Sequence, residues 1–320
     1  MCGIIFASRA ETANKLVLKR YEKQKARGKE GFCFVEIKGG HILSVKRSQD
    51  EKDILEKLAK STADQILFHH RYPTSTPNVV ESTHPIFVNN KSLKYNYYVI
   101  HNGIITNDTE LRDQHIKAGF KYTTDITKQL ITAKNTYSEY MWNDSEAFAI
   151  DLVQSIESGK DILSEGSIAF IALQYEKSTK KVVSLFWGKN NNPLKIESQK
   201  DFFALSSESG KDIKADILYK YDYATEKHSD IKKDIGITYS YQTEFTTGFG
   251  RRGIYDDESD FTIPATDDEY TAELQDEITE LELELKRLNG ADNYDEAFNI
   301  EVELDTLRQE LVYHKRAKNF

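Results

Sequence analysis

The chain opens with Met1-Cys2-Gly3-Ile4-Ile5-Phe6-Ala7, a cysteine in second position followed by a short apolar run. A run of this length that begins at a glycine predicts a buried β-strand. Removal of Met1, which is usual before a small residue, would leave Cys2 with a free α-amine. Because an α-amine has a pKa of about 7.7–8.0 and a thiol about 8.5, one residue would then hold both nucleophile and general base. A buried core cysteine is the alternative interpretation.

Similar apolar runs recur through the first two thirds of the chain, and each predicts a further strand. They occupy residues 32–35, 66–68, 97–100, 168–173, 182–186 and 202–205. Helical periodicity lies between some of them and predicts helices over residues 11–25, 51–61, 109–118 and 145–157. Residues 218–246 have room for two more strands. The pattern as a whole predicts a mixed body of helices and strands.

The pattern changes after residue 267. Apolar residues then follow heptad spacing in two stretches: Leu274, Ile278, Leu281, Leu285 and Leu288, and then Ile300, Leu304, Leu307 and Leu311. The turn-forming segment 289–293 separates the stretches, so we predict a helical hairpin. The expected organisation is a domain over residues 2–246, a linker or loop over 247–267 and the hairpin, or coiled coil, over 268–317. Two roles of the hairpin are open. One is packing against the rest of its own chain, and the other is homo-oligomerisation or partner binding.

Charge and composition exclude several classes of protein. The 320 residues include 43 Lys and Arg against 52 Asp and Glu, and residues 267–320 hold 16 of these acids but only 6 bases. The near-neutral remainder has no basic stripe, which argues against direct nucleic-acid binding. No apolar run reaches the ~18 residues of a membrane span and no signal peptide is recognisable. We therefore expect a cytoplasmic protein without membrane contact.

Cysteine and histidine spacing argues against a metal site. Two cysteines, Cys2 and Cys33, cannot build a disulfide framework or a zinc site. Of the histidines, the adjacent His69 and His70 would point to opposite faces of one strand. We predict no metal and no cofactor. The pair Arg251-Arg252 is interpreted as part of a solvated loop.

Four clusters of residues occur in an order known from one family: Cys2-Gly3-Ile4, then Arg27-Gly28-Lys29-Glu30-Gly31-Phe32, then His70-Arg71-Tyr72-Pro73-Thr74 with His84-Pro85, and finally His101-Asn102-Gly103. Together they resemble the class II glutamine amidotransferase domain of the N-terminal-nucleophile hydrolases, over roughly residues 2–210. The resemblance implies an α+β fold, a four-layer αββα sandwich of two packed antiparallel sheets flanked by helices. Cys2 would lie at the end of a central strand, and the helical hairpin would follow the sandwich.

The resemblance also implies catalytic roles. Cys2 would attack the side-chain amide of glutamine and form a γ-glutamyl thioester, with its own α-amine taking the thiol proton. Asn102 and Gly103 would form the oxyanion hole through a side-chain amide and a backbone N–H. A hairpin turn at Asn102-Gly103 is the alternative that the residues alone leave open.

For the substrate pocket, the resemblance assigns Arg71 to the α-carboxylate of glutamine, a task that suits a planar guanidinium. A surface or ion-pair arginine is the alternative. Tyr72 occupies the position where many relatives have tryptophan, so an aromatic ring still lines the pocket. Thr74 retains the hydroxyl that the family has nearby. Four residues are expected to hold the pocket-lining residues in place, namely Arg27, Gly28, His84 and His101. For Arg27 and His84 a purely structural role is equally open.

The α-ammonium of glutamine requires a carboxylate, for which the chain offers two candidates. Asp144 lies in Asp144-Ser145-Glu146 at the start of a predicted helix, as the family pattern requires, although it could serve only as an N-cap. Asp125 competes because it lies closer to the usual distance after His101-Asn102-Gly103. If Asp144 is correct, residues 126–143 are an insertion at the rim of the pocket.

The predicted function is that of a glutaminase subunit. No synthase or phosphate-binding pattern is visible in the chain, so we expect it to hydrolyse L-glutamine and supply ammonia to a synthase that is a separate protein. A stand-alone donor of this kind would suit a phage or mobile-element pathway. One alternative is an amidohydrolase that acts on another γ-glutamyl amide. The other is a non-catalytic binding or structural protein that acts through its hairpin.

Overall fold

In the computed structural model, the described residues are 2–9, 12–72, 79–131, 136–200, 202–232 and 234–236, with Gln275, Ile278, Thr279 and Leu281. The chain divides into two compact units, Met1–Lys128 with Glu139–Gln242, and Gln129–Ser138 with Thr243–Phe320. The predicted linker over 247–267 and most of the predicted hairpin lie outside the described residues. The four positions described within the hairpin are helical. The predicted boundaries of domain, linker and hairpin therefore stay predictions.

Helices and strands alternate along the stretch of the chain from residue 3 to residue 232. Its helices are α1 (Ala13–Gln24), α2 (Glu51–Ala59), α3 (Asp108–Lys117) and α4 (Asp144–Ser158). The strands are β1 (Gly3–Ser8), β2 (Phe32–Lys38), β3 (His41–Ser48), β4 (Gln65–His70), β5 (Ile86–Val88), β6 (Asn96–Ile105), β7 (Ile126–Ile131), β8 (Thr136–Met141), β9 (Gly166–Tyr175), β10 (Val182–Lys189), β11 (Lys195–Gln199), β12 (Phe202–Ser206), β13 (Lys211–Asp212), β14 (Ile217–Asp222) and β15 (Lys227–Lys232). Every strand and helix predicted from the apolar runs in this part of the chain is present.

Two antiparallel sheets form the centre of the fold. Sheet A has seven strands in the order β13-β11-β12-β1-β4-β2-β3, and sheet B has six in the order β15-β14-β10-β9-β6-β5. Among the described residues, strands β7 and β8 form a separate two-stranded sheet, and they fall within the segment predicted as an insertion. The mixed fold with two antiparallel sheets agrees with the sequence prediction.

Alternation along β1 shows how the layers pack. Ile4 and Phe6 belong to the core shared with Ile171 of sheet B, whereas Ile5 lies in a separate core with Val17 of α1. Successive side chains of a strand point to opposite faces, so both faces of β1 are buried. This explains why its sequence is a continuous apolar run. Sheet B is covered in the same way on its outer face, where a third core contains residues of α3 and α4.

The register of β1 fixes the position of Cys2. Gly3 lies opposite His70 at the end of β4, which brings the residue before Gly3 close to the residues that follow β4. A Cβ atom on Gly3 would lie 1.9 Å from Nε2 of His70. The glycine at this position is therefore required by the close packing of its neighbour.

Within the described residues, no helix is both long and apolar enough to cross a membrane.

Candidate active site

Cys2 is held at the end of β1 by contacts with two neighbouring segments. The Tyr72 backbone N–H donates to Sγ of Cys2 at 3.5 Å, and Nε of Arg27 donates to the Cys2 carbonyl oxygen at 2.9 Å. Arg27 also forms an ion pair with Glu208. Arg27 thus fixes the backbone of the candidate nucleophile rather than its thiol.

Burial raises the pKa of the Cys2 thiol, and the negative charge of Asp144 acts in the same direction. The Tyr72 backbone contact and the positive charge of Arg71 oppose this rise only in part. The thiol is therefore protonated at neutral pH and needs a base before it can attack a carbon atom.

Gly28 packs against the backbone that follows β4. Its carbonyl oxygen accepts a hydrogen bond from Nδ1 of His70 at 2.8 Å, and a Cβ atom on Gly28 would lie 2.4 Å from the Arg71 carbonyl oxygen. Burial lowers the pKa of His70 to about 4, so His70 is neutral at pH 7. The Gly28 segment thereby positions the strand end that carries Arg71 and Tyr72.

Arg71 is only 3% exposed, which excludes the surface alternative. Its guanidinium donates to Oγ of Ser82 at 2.9 Å. Burial lowers the pKa of Arg71, while the thiolate form of Cys2 and the negative charge of Asp144 raise it. Sγ of Cys2 contacts the backbone of Tyr72, the residue next to Arg71, so the thiol lies beside the end of β4 that carries the guanidinium. Thr74, the predicted hydroxyl neighbour, lies outside the described residues.

Asp144 is the first residue of α4 and not its N-cap. Asn143 is the N-cap, and its side chain accepts from the Ser145 N–H at 3.0 Å. The alternative in which Asp144 only caps the helix is therefore wrong. Oδ2 of Asp144 accepts from the Ile105 N–H at 2.9 Å, and this bond joins the start of α4 to the end of β6.

The other two residues of the Asp-Ser-Glu segment strengthen the same junction. Oγ of Ser145 lies 2.9 Å from Nδ1 of His101 on β6. Glu146 is buried and accepts from the backbone N–H groups of Thr123 and Thr124 at 2.7 and 2.8 Å. The segment as a whole ties α4 both to the strand that carries Asn102 and to the loop before β7.

Asp125, the competing candidate, has a different environment. Its side chain is 38% exposed and forms an ion pair with Arg112 at 2.9 Å. Of the two carboxylates, Asp144 is the one whose charge acts on both Cys2 and Arg71.

Asn102 and Gly103 lie inside β6, where they pair with Ala169 and Ile168 of β9. The hairpin-turn alternative is therefore wrong. Asn102 is 1% exposed, and its Nδ2 has no hydrogen-bond partner among the described residues. Leaving a buried amide donor unpaired is costly, so the group is available for an acceptor that the described residues do not supply. A Cβ atom on Gly103 would lie 1.7 Å from the Ser167 carbonyl oxygen.

His84 contributes to the packing beneath the site. Its ring stacks on that of His69 with centroids 4.0 Å apart, and neither ring nitrogen of His84 has a partner in the part of the chain that the structure describes. Burial lowers the pKa of His84 well below its usual value and that of His101 to about 4. Both rings are therefore neutral at pH 7. The described His, Cys, Asp and Glu residues include no group of three placed to hold a metal ion.

Sequence reasoning missed the polar residues that hold these groups in place. Ser82 bonds Arg71, Glu208 pairs with Arg27, and Nδ2 of Asn192 donates to the Asn102 carbonyl oxygen at 2.7 Å. These side chains reach the site from distant parts of the chain, and their local sequences carry no chemical pattern. Only Asn143 had a usable signal, since asparagine immediately before a helix is a preferred N-cap.

Comparison with known proteins gives one consistent set of relatives. The chain is 27% identical over 200 residues to a glutamine--fructose-6-phosphate aminotransferase (isomerizing) of Tropheryma whipplei, covering 61% of this chain and 30% of that protein. It is 28% identical over 215 residues to the enzyme of the same name from Halalkalibacterium halodurans, covering 65% of this chain and 32% of that protein. No family model matches the chain.

Solved structures share the fold. The chain superimposes on the allosteric regulatory enzyme of purine biosynthesis with a TM-score of 0.53 and 17% identity, over 74% of this chain and 50% of that one. The glutamine phosphoribosylpyrophosphate amidotransferase of B. subtilis gives a TM-score of 0.50 and 16% identity, with the same coverage. The chain thus spans about 30% of the length of the sequence relatives and half that of these structures. These findings confirm the resemblance predicted from the sequence: over about 200 residues the chain is similar to glutamine-dependent aminotransferases, and it shares the fold of a glutamine amidotransferase.

Proposed function

We propose that this chain hydrolyses the side-chain amide of L-glutamine at Cys2 and supplies the ammonia to a separate synthase. The observation that carries the proposal is the contact of the Cys2 thiol with the backbone of Tyr72, the residue directly after the buried Arg71. The unpaired amide of Asn102 supports it. The relatives' names include glutamine as the substrate that they use.

The chemistry begins with the α-amine of Cys2 after removal of Met1. The amine takes the thiol proton as Sγ bonds to the amide carbon of glutamine, and the resulting tetrahedral oxyanion accepts from Nδ2 of Asn102 and the N–H of Gly103. The carbon–nitrogen bond then breaks, and the amine returns its proton to the leaving nitrogen as ammonia departs. Water adds to the thioester carbon and releases glutamate together with the thiol.

Glutamine is recognised through the two opposite charges at its α-carbon, the end of the molecule away from the side-chain amide. The guanidinium of Arg71 binds the α-carboxylate and the carboxylate of Asp144 binds the α-ammonium. Ser82 and the Ile105 N–H hold the two side chains in place. A zwitterion therefore finds both partners already oriented, which lowers the entropic cost of binding.

Replacement of Asp144 with asparagine tests the choice between the two carboxylates. We expect Asp144→Asn to raise KM for L-glutamine about 30-fold, a loss of roughly 2 kcal/mol for one charge-assisted hydrogen bond. Asp125→Asn is the matched control and should leave KM within about threefold, because the ion pair of Asp125 with Arg112 is exposed. Steady-state ammonia release measures both variants. A large KM effect in Asp125→Asn with none in Asp144→Asn would reverse the assignment.

The proposed function is tested by intact mass after incubation with a glutamine-analogue electrophile. We expect a chain that lacks Met1 and gains one adduct, and L-glutamine in excess should protect it. The adduct should be absent from Cys2→Ala and retained in Cys33→Ala, since Cys33 is fully buried in β2. A chain that gains no adduct although Met1 has been removed would contradict the proposal and favour a non-catalytic role.

We propose only the class of enzyme that accepts the ammonia. It would be a synthase on a separate chain, which would consume the ammonia as it is released. We further propose that residues 268–317 form the predicted helical hairpin and that it binds this synthase or a second copy of the chain.

A further inference from the structure

A second concave site lies beside α1. It is a cavity of about 380 Å³ between α1 and strands β11 and β12, and we call it the basic cleft. Five of its lining residues are cations, namely Arg9, Lys15, Lys19, Arg20 and Lys23. Arg9 directly follows β1, whereas Cys2 precedes it, so the cleft begins at the opposite end of that strand from the candidate nucleophile.

The charges of the cleft are unbalanced. Glu197 is the single carboxylate among its described lining residues, and it forms an ion pair with Arg20 at 2.6 Å. Four cations remain along the cavity without a carboxylate among the lining residues. One of them, Arg9, lies 5.9 Å from the centre of the Phe202 ring, which forms an aromatic wall.

The lysines form a row on one face of α1. Lys15, Lys19 and Lys23 are spaced four residues apart and are exposed. Like charges at this spacing repel each other and destabilise a helix. An anion bound between them would remove this repulsion, whereas solvent and salt only screen it.

Arg20 is the buried cation among the residues that line the cleft. The residue is 3% exposed, and its guanidinium donates to Oγ of Ser206 at 3.3 Å and to the Ser209 carbonyl oxygen at 3.2 Å. Its Nε–H has no acceptor among the described residues. The guanidinium is thus held in one orientation and places a fixed positive charge beside the cavity, unlike the flexible side chain of an exposed lysine.

We propose that the basic cleft binds a small molecule that carries a chain of two or more phosphate groups. The volume lies within the range of small-molecule sites, about 300–1,000 Å³. Eight residues of helix separate Lys15 from Lys23, a distance of about 12 Å at 1.5 Å per residue, which is longer than a single phosphate can bridge. Lysine and arginine side chains recognise phosphate oxygens by charge-assisted hydrogen bonds.

Calorimetric titration of the full chain with inorganic phosphate, pyrophosphate and triphosphate tests the ligand class. We expect saturable binding of one triphosphate per chain, with affinity increasing from phosphate to pyrophosphate to triphosphate and decreasing with added salt. Absence of saturable triphosphate binding at millimolar concentration would overturn the proposal. So would binding of a polyglutamate peptide in preference to triphosphate, which would make the cleft a protein-docking surface.

Charge-matched variants test the location. Replacing Lys15, Lys19 and Lys23 together with glutamine should weaken triphosphate binding about 100-fold or more, and Lys19→Gln alone about tenfold. The control replaces the exposed lysines Lys52, Lys91 and Lys117 with glutamine, which changes the net charge equally. Equal loss in both triple variants would show only general attraction and overturn the site. Thermal unfolding checks that each variant is folded, and the readout does not depend on glutamine hydrolysis.

Discussion

Replacing Cys2 with alanine is expected to reduce ammonia release from L-glutamine by about 10⁴-fold or more. In the first step of the proposed mechanism the Cys2 sulfur bonds to the amide carbon, and water in its place would have neither its nucleophilicity nor its fixed orientation. Arg71 and Asp144 remain in this variant. Binding of L-glutamine, measured by calorimetry, should therefore change little while turnover disappears.

Cys33→Ala is the matched control for this loss. Cys33 is the other free cysteine, and it is buried in β2, where burial raises the pKa of its thiol. It should keep near-normal turnover, apart from the modest destabilisation that follows removal of one buried sulfur atom. Undiminished ammonia release by Cys2→Ala, in protein whose mass shows that Met1 has been removed, would refute Cys2 as the nucleophile.

Asn102→Ala should lower kcat by about 10²–10³-fold and leave KM within a few fold. The side-chain amide of Asn102 is unpaired among the described residues, so its expected role is to stabilise charge that exists only in the tetrahedral intermediate. An interaction made only at that stage changes the chemical step and not the binding of the substrate.

Asn96→Ala is the control for this variant, since Asn96 is a buried asparagine at the other end of the same strand. It should alter stability without altering kcat by more than about threefold. A change confined to KM in Asn102→Ala would instead place this residue in ground-state binding of glutamine, and the oxyanion would then need another side-chain donor.

The sequence predicted the parts of the fold whose residues are buried on both sides. Strand β1 is apolar at every position from Ile4 to Ala7 because one face packs on helices and the other on sheet B. Strand β3 at the edge of sheet A was missed, since its alternation is broken by Lys46 and Arg47, and β11 was missed because it is mostly polar.

The candidate site was predictable to the extent that its chemistry lies in short motifs. Cys2, Arg71, Asn102 and Asp144 each belong to a contiguous cluster, and a cluster can be recognised without knowing the fold. Ser82, whose hydroxyl orients Arg71, belongs to none. Its role arises only when β4 and the loop before β5 meet, and that proximity is a property of the tertiary structure.

Cys2 precedes a strand of sheet A, whereas Asn102 lies on a strand of sheet B. In the proposed mechanism, the distance between the thiol and the amide therefore depends on the thickness of the apolar layer between the sheets, which includes Phe6, Ile100 and Trp187. That layer acts as a spacer for the chemistry. A change in the thickness of this layer would alter the rate of the proposed reaction without changing any group that contacts the substrate. Apolar residues far from the substrate would then affect the rate.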